Sequence, residues 1–326
     1  MPVVTSDPVK ETVQRAVHGG AVGPEVSQVT EPFSAEKATR PRPPVSGRAL
    51  EAAQKALALS EPDVVRVLVR FLRDEIGRVG FRRAIVGLSG GVDSSVTAFL
   101  TAQALGPDNV LGVRMPYRLS SPDSLAHAEL VAQELGIRLL TVPITDQVDA
   151  YFRQFPDASR ERRANKMARE RMSILYDLSM AHGALVVGTS NKTELLLGYG
   201  TIYGDLACAV NPLADLYKTQ VWRVARHLGV PDVIVNKPPT ADLWVGQTDE
   251  GELGFTYHDA DHALVLLIDK RWSLDHAVTH GVRRDFAQRL LELVRRSQYK
   301  RTLPVFAKVS WRTIGRDFRY SRDWGT

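Results

Sequence analysis

The sequence predicts an α/β protein with a doubly wound, mostly parallel β-sheet, helices on both faces and a helical C-terminal part. Short runs rich in Val, Ile and Leu alternate with longer stretches of helical periodicity between residues 84 and 187. Such alternation is typical of parallel strands joined by crossover helices. After Leu216 the apolar positions follow a helical period apart from one loop, so helices are expected there.

The first 47 residues are predicted to form a disordered leader. They are rich in proline, end close to the run Arg-Pro-Arg-Pro-Pro at 40–44, and show no sustained period. Segments of this kind bury too little apolar surface to offset the entropy lost on folding. One folded domain is therefore expected from residue 48 to residue 326.

The folded part is predicted to begin with a helix near Ala49 that runs through Leu72, because apolar residues recur there at helical spacing. The strands that follow are predicted at 84–88, 110–113, 138–142 and 184–187, and the helices between them at 92–104, 123–136 and 160–182. The loop 236–254 is rich in Pro, Gly and acidic residues, and its length is typical of a lid.

The turn after the first strand has the features of a phosphate-binding loop. Gly90 and Gly91 let the backbone approach an anion closely, and the N–H groups that begin the next helix then face its oxygens. Serine hydroxyls add donors, and Asp93 offers a hard oxygen ligand for Mg²⁺. The residues predicted to form this nucleotide-phosphate site are Gly87, Leu88, Ser89, Gly90, Gly91, Val92, Asp93, Ser94 and Ser95.

The segment that follows the strand 184–187 adds two candidates. Thr189, in the turn, can contact a nucleotide, and Glu194 lies about one helical turn further on. Glu194 and Asp93 together form the carboxylate pair that Mg²⁺ usually takes from a protein. Taken alone, Glu194 is better interpreted as an exposed helix residue or a capping partner of Asn191.

Two further candidates come from loops. Asp205 ends the glycine-dense stretch 198–205 and can lie against a cation. Lys237 begins the predicted lid, where it would bring a mobile positive charge towards bound phosphate. The alternative interpretation of the segment that begins at Lys237 is a solvated loop with an exposed lysine.

Composition argues against several classes of protein. The chain of 326 residues is 44% hydrophobic and 24% charged, and it contains no apolar run of the roughly 18 residues that a membrane span needs. The single cysteine, Cys208, excludes an internal disulfide and fits a reducing cytoplasm. The positive charge is concentrated after residue 283. We interpret this basic tail as a solvated surface, and expect neither nucleic acid nor a membrane as a partner.

The Ser89–Ser95 loop resembles the pyrophosphate loop of the N-type ATP pyrophosphatases. With the segments 188–194, 198–205 and 237–257 in this order, the chain resembles the NAD synthetases from about residue 64 to residue 262. The resemblance implies an adenine nucleotide α-hydrolase-like fold, a homodimer, and the use of ATP and Mg²⁺. It also implies the amidation of nicotinic acid adenine dinucleotide (deamido-NAD) with ammonia, through an adenylate, with release of AMP and pyrophosphate.

The resemblance also implies roles for individual residues. Asp205 and Lys237 would be catalytic, with Asp205 holding or deprotonating ammonium. Besides the loop, ATP would be bound by Thr189, Lys237 and Thr256, and Mg²⁺ by Asp93 and Glu194. The deamido-NAD site would be formed by Arg169, Ile202, Ala209, Tyr299 and Lys300.

Three positions depart from the family pattern on the acceptor side. Ile202 stands where the ammonia-dependent members usually carry Lys, Ala209 where they carry Asp, and Tyr299 where they carry His. These changes motivate an alternative, an amide synthetase with the same chemistry on another carboxylate. The segment before the first helix is too short for a glutaminase domain, so free ammonia, or ammonia from a separate glutaminase, is expected as the nitrogen source.

Overall fold

The computed structural model describes residues 43–244, 246–302 and 304–313. Within these ranges four strands form one parallel sheet: β1 (Arg83–Gly87), β2 (Val110–Arg114), β3 (Arg138–Thr141) and β4 (Ala184–Val187). The helices of the sheet region are α1 (Gly47–Leu57), α2 (Glu61–Arg78), α3 (Val92–Leu105), α4 (Pro122–Leu135), α5 (Thr145–Phe152) and α6 (Arg160–His182). Those that follow are α7 (Lys192–Leu197), α8 (Lys218–Leu228), α9 (Asp232–Val235), α10 (Asp249–Leu253), α11 (Tyr257–Leu264), α12 (Leu274–His280) and α13 (Arg284–Arg296).

Strands β1, β2 and β4 are mostly buried, as their nearly continuous apolar sequences predict, whereas no residue of the edge strand β3 is fully buried. In β1, Ala84 and Val86 belong to a core cluster with α3, whereas Ile85 belongs to a second cluster on the opposite face with α5 and α6. All three side chains are 0% exposed. The predicted α/β class, with a parallel sheet and helices on both faces, is confirmed.

The strand order β3-β2-β1-β4 decides where a ligand binds. From β1 the chain proceeds to β2 on one side and later returns to add β4 on the other, and both pairings are parallel. The order therefore reverses between β1 and β4. In open α/β sheets, ligands bind at such a switch point, outside the carboxyl ends of the strands.

The N-terminal part differs from the sequence prediction in two ways. The single helix expected from Ala49 to Leu72 is two helices, because Ala58 is extended and Pro62 lies in the first turn of α2. Ordered structure also begins before residue 48, since Val45 is buried and pairs with Val282. Residues 1–42 of the predicted leader lie outside the described residues.

The C-terminal helices form the second large core cluster, in which α11, α12 and α13 pack with α1. The predicted lid, 236–254, is irregular only up to residue 248, because Thr248 caps the short helix α10 by accepting a hydrogen bond from the Gly251 N–H. Helix α5 was not predicted. None of the described helices is long and apolar enough to cross a membrane.

Candidate functional site

A cleft of about 590 Å³ opens at the carboxyl ends of β1 and β4, at the switch point of the sheet. Its volume lies within the roughly 300–1,000 Å³ that is typical of ligand pockets. The predicted site residues that line it are Gly87, Leu88, Ser89, Gly91, Val92, Asp93, Ser94, Thr189, Glu194, Asp205, Lys237 and Lys300.

The loop after β1 is held in shape by its own hydroxyl groups. Ser94 Oγ donates to the Gly91 carbonyl at 3.0 Å and accepts a hydrogen bond from the Ser89 N–H at 3.2 Å. Ser95 Oγ donates to the same Gly91 carbonyl at 2.8 Å, and Ser95 is fully buried. Ser95 therefore stabilises the loop from the protein interior. Helix α3 begins directly after Gly91, and its first N–H groups form an anion-binding end beside the cleft.

Two carboxylates meet beside this loop. Asp93 Oδ1 accepts a hydrogen bond from Asn191 Nδ2 at 2.9 Å. Asn191 and Glu194 also form a capping box at the start of α7, so Glu194 fulfils the capping role while it lines the cleft. Both carboxylates contact one ammonium group, that of Lys218. The pair can therefore face a single cation.

Magnesium fits this donor set. Mg²⁺ takes one or two protein carboxylates and completes its shell with water and phosphate oxygens. Within the described residues no group of three or more His, Cys, Asp or Glu side chains is arranged to enclose a metal. A pair of carboxylates such as Asp93 and Glu194 would leave the remaining ligand positions of a magnesium ion to water and phosphate oxygens.

Lys218 is a site residue that the sequence did not indicate. It begins α8, lines the cleft, and its side chain is only 3% exposed. Burial alone lowers the pKa of a lysine, but the charges of Asp93 and Glu194 outweigh burial, so the pKa of Lys218 lies above its ordinary range. The ring of Tyr257 lies 5.1 Å from the ammonium. Lys218 is therefore a charged group inside the protein.

The carboxylate of Asp261 holds the two helix starts that carry Glu194 and Lys218. It accepts hydrogen bonds from Thr193 Oγ1 at 2.6 Å and from the N–H and hydroxyl of Thr219, each at 2.8 Å. Thr193 Oγ1 in turn accepts the backbone N–H of Lys218 at 3.0 Å. Asp261 is fully buried, and burial raises its pKa to about 6.

This shift predicts a pH dependence of stability. Because the pKa of Asp261 is raised on folding from 3.8 to about 6, its contribution is fully present below about pH 4 and is lost as the pH rises through about 6. Between those values the free energy of unfolding should fall by about 3 kcal/mol in the wild type relative to Asp261→Asn, which cannot ionise there. Urea unfolding at a series of pH values measures the difference, and parallel curves for the two proteins would contradict it.

On the acceptor side, the structure brings Asp205 and Lys300 to the cleft. Asp205 is open to the cleft and accepts the Thr201 N–H at 2.8 Å. Desolvation by the surrounding protein raises the pKa of its carboxyl, while this hydrogen bond and the charge of Lys300 oppose the shift. Lys300 Nζ donates to the carbonyls of Gly198 and Gly200 at 2.7 and 2.8 Å and so supports the same loop.

Seven of the predicted residues lie outside the lining of this cleft, and two of them, Gly90 and Ser95, belong to the loop itself. Arg169 is exposed, and its Nε donates to the Ile202 carbonyl at 3.3 Å. Thr256 caps α11 and is exposed, with its hydroxyl 2.8 Å from Asp259 Oδ2. The others are Ile202, Ala209 and Tyr299, of which Tyr299 is 60% exposed. The cleft does not bring these residues together with the others.

Arg171, two positions beyond Arg169, is the arginine of α6 that lines the cleft. Its Nε donates to the Met115 carbonyl at 3.0 Å, and burial lowers its pKa to about 10. Two residues along a helix correspond to a rotation of about 200°, so these neighbours face opposite ways. The sequence showed that the segment of α6 is helical. It did not show which face of the helix lines the cleft.

The predicted lid is closed against the start of α4. Lys237 Nζ donates to Ser124 Oγ at 2.9 Å. The Asp242 carboxylate accepts the Ser121 N–H at 2.9 Å, with Asp242 itself at a φ of 52°. Asparagine and aspartate adopt such left-handed angles more readily than other side chains, at a small cost. These contacts place Lys237 at the edge of the cleft, near the phosphate loop.

The sequence of this chain is similar to those of known proteins of one family. The family described as NAD synthase matches residues 64–304. An NH(3)-dependent NAD(+) synthetase from Trichlorobacter lovleyi is 57% identical over 262 residues, 80% of this chain and 96% of that protein. One from Chlorobaculum parvum is 54% identical over 80% of this chain and 94% of its own length.

Solved structures lead to the same family. The NH3-dependent NAD synthetase from Campylobacter jejuni, in complex with nitrate ion, has a TM-score of 0.66 and 30% identity over 77% of this chain and 100% of that chain. The NMN synthetase from Francisella tularensis has a TM-score of 0.68 and 29% identity over 77% of this chain and 99% of that chain. The chain belongs to the NAD synthase family.

Proposed function

We propose that this protein amidates deamido-NAD to NAD with ammonia, using ATP, by way of an adenylate and with release of AMP and pyrophosphate. The observation that carries the proposal is the cleft at the switch point, where the phosphate loop and the pair Asp93 and Glu194 face the same space as Asp205. The names of the curated relatives support the choice of substrate and of nitrogen source.

Different residues of the cleft have different roles in the proposed reaction. The N–H groups of the loop 89–95 and the charge of Lys237 bind the triphosphate and stabilise the negative charge that grows on departing pyrophosphate. Asp93 and Glu194 would hold Mg²⁺, which when bound supplies positive charge at the phosphates. Asp205 takes a proton from ammonium, and its raised pKa makes it a better base for that step.

The same proposal covers assembly, nitrogen source and location. We infer a homodimer, because α6 exposes Tyr176 and Met180, at 39% and 88%, on neighbouring turns of one face. Free ammonia is the proposed nitrogen donor, with a separate glutaminase as the other source. The single free thiol of Cys208 supports a cytoplasmic location.

Product analysis tests the proposed reaction. Purified protein with deamido-NAD, ATP, Mg²⁺ and ammonium should give NAD, AMP and pyrophosphate in equal amounts. When ammonium is omitted, no NAD should form from ATP and deamido-NAD. Release of ADP in place of AMP would contradict the adenylate, and failure to form an amide would contradict the acceptor.

A second candidate, the same chemistry on another carboxylate, is favoured by one comparison. The similar structure from Francisella tularensis is named an NMN synthetase, and Ile202, Ala209 and Tyr299 depart from the family pattern on the acceptor side. Parallel measurement of kcat/KM with deamido-NAD and with nicotinic acid mononucleotide separates the two candidates. We expect the dinucleotide to be preferred.

Lys237→Ala should lower turnover more than substrate binding. Its ammonium donates to Ser124 at the edge of the cleft, and its charge matters most when pyrophosphate departs. We expect kcat to fall by roughly 10²-fold with a smaller change in the KM for ATP. Arg226→Ala, on the exposed part of α8, is the control and should keep wild-type kinetics. A rise in the KM for ATP with kcat unchanged would assign Lys237 to ground-state binding instead.

A further inference from the structure

Lys218 occupies the position between the two carboxylates that a metal ion would take. Its ammonium contacts a carboxylate oxygen of Asp93 and lies 3.5 Å from Glu194 Oε1. The position is fixed by the backbone, since the Lys218 N–H donates to Thr193 Oγ1 and α8 begins at this residue. The chain therefore carries its own cation at the proposed Mg²⁺ site.

A second cation cannot approach the same two carboxylates without cost. The side chains of Lys218, Asp93 and Glu194 are 3%, 17% and 16% exposed, so little water screens their charges. Like charges a few ångströms apart repel strongly in such surroundings. Mg²⁺ alone would have to displace the ammonium from both of its ion-pair partners, which is a costly change for a buried charge.

A polyphosphate removes this obstacle. Lys218 lines the cleft beside the loop 89–95, so phosphate oxygens held by that loop offer its ammonium a new anionic partner. The same phosphates complete the magnesium shell that Asp93 and Glu194 begin. The exchange of partners can thus occur only when metal and nucleotide arrive together.

We propose that Lys218 is a resident counter-ion that excludes a divalent cation from Asp93 and Glu194 until a polyphosphate draws it away. Metal binding and nucleotide binding are then coupled through one side chain, and by linkage the coupling is reciprocal. The inference rests on the proposed function only in taking these two carboxylates as the metal ligands.

The chain offers a matched control. Lys192 begins α7 as Lys218 begins α8, pairs with Asp215 and Asp269 at 3.0 and 3.1 Å, and lies 4.9 Å from the ring of Tyr217. It too pairs with two carboxylates beside a tyrosine ring, but its side chain is 19% exposed, against 3% for Lys218, and it does not line the cleft. Lys192→Met therefore removes a paired lysine without touching the proposed metal site.

The test is the binding of Mn²⁺, as a spectroscopic substitute for Mg²⁺, to the full-length protein without nucleotide. Electron paramagnetic resonance should show weak binding to the wild type and to Lys192→Met, and at least about tenfold tighter binding to Lys218→Met. Adding Asp93→Asn to Lys218→Met should abolish the gain. With α,β-methylene ATP present, which resists cleavage between those phosphates, wild type and Lys192→Met should bind Mn²⁺ equally well.

Each outcome decides the question. Tight binding of Mn²⁺ by the wild type without nucleotide overturns the proposal, whether or not Lys218→Met folds. Equal binding by wild type and folded Lys218→Met overturns it as well, and Lys218→Gln replaces that variant where melting shows it to be unfolded. Tight binding by Lys218→Met together with no amidation of deamido-NAD by the wild type would uphold the inference and contradict the proposed function instead.

Discussion

Asp93→Asn should reduce the release of AMP from ATP and deamido-NAD by at least about 10²–10³-fold. Asp93 lines the cleft at the first turn of α3, directly after the phosphate loop. Asparagine keeps the acceptor oxygen that Asn191 contacts but removes the charge that a magnesium ion needs. The loss should appear in kcat/KM for ATP, measured at saturating ammonium and deamido-NAD.

The fold should survive this change. Lys218 keeps Glu194 as a partner, so the variant does not leave an unpaired buried charge, and its melting temperature should fall only modestly. Asp269→Asn is the matched control, because it removes one of the two carboxylates beside Lys192 and lies outside the cleft. Activity of Asp93→Asn within tenfold of that control would mean that Asp93 is not a metal ligand.

The sequence was most informative where local chemistry alone determines structure. The apolar run of β1, the loop 89–95 and the start of α3 are adjacent in the chain, so the sequence alone could predict that they lie together, and most of the loop does line the cleft. The strands were also placed within one or two residues, because short buried runs between glycines have few other interpretations. Thr189 and Glu194 could be inferred because they follow a strand directly.

The residues that were missed depend on distant packing. Lys218 lies in an amphipathic helix of ordinary appearance, and its burial depends on contacts with residues far away in the chain, such as Asp93, 125 positions earlier. Asp261 resembles any acidic residue of a surface helix until α11 packs against the starts of α7 and α8. A lysine or aspartate at such a position is mostly exposed in proteins generally, so sequence alone favours the wrong environment.

Gly90→Ala should both destabilise the fold and abolish nucleotide binding. Gly90 has a φ of 75°, and a Cβ added there would lie 2.2 Å from the Ser124 carbonyl oxygen. The obstacle is backbone, so the loop or the start of α4 has to move, and the N–H groups of the loop lose their common direction. We expect the free energy of unfolding to fall by about 2–4 kcal/mol and ATP binding to fall at least about 10²-fold.

Gly229→Ala separates the cost of a side chain at positive φ from the cost of the close contact with Ser124. Gly229 ends α8 with nearly the same φ, 78°, but no atom lies within 4 Å of its added Cβ. It should therefore cost only the left-handed backbone, about 1 kcal/mol, and leave ATP binding unchanged. Calorimetric titration with ATP and urea unfolding of both variants give the comparison. If Gly90→Ala cost no more than Gly229→Ala, close contact between the phosphate loop and Ser124 would not be what shapes the nucleotide site.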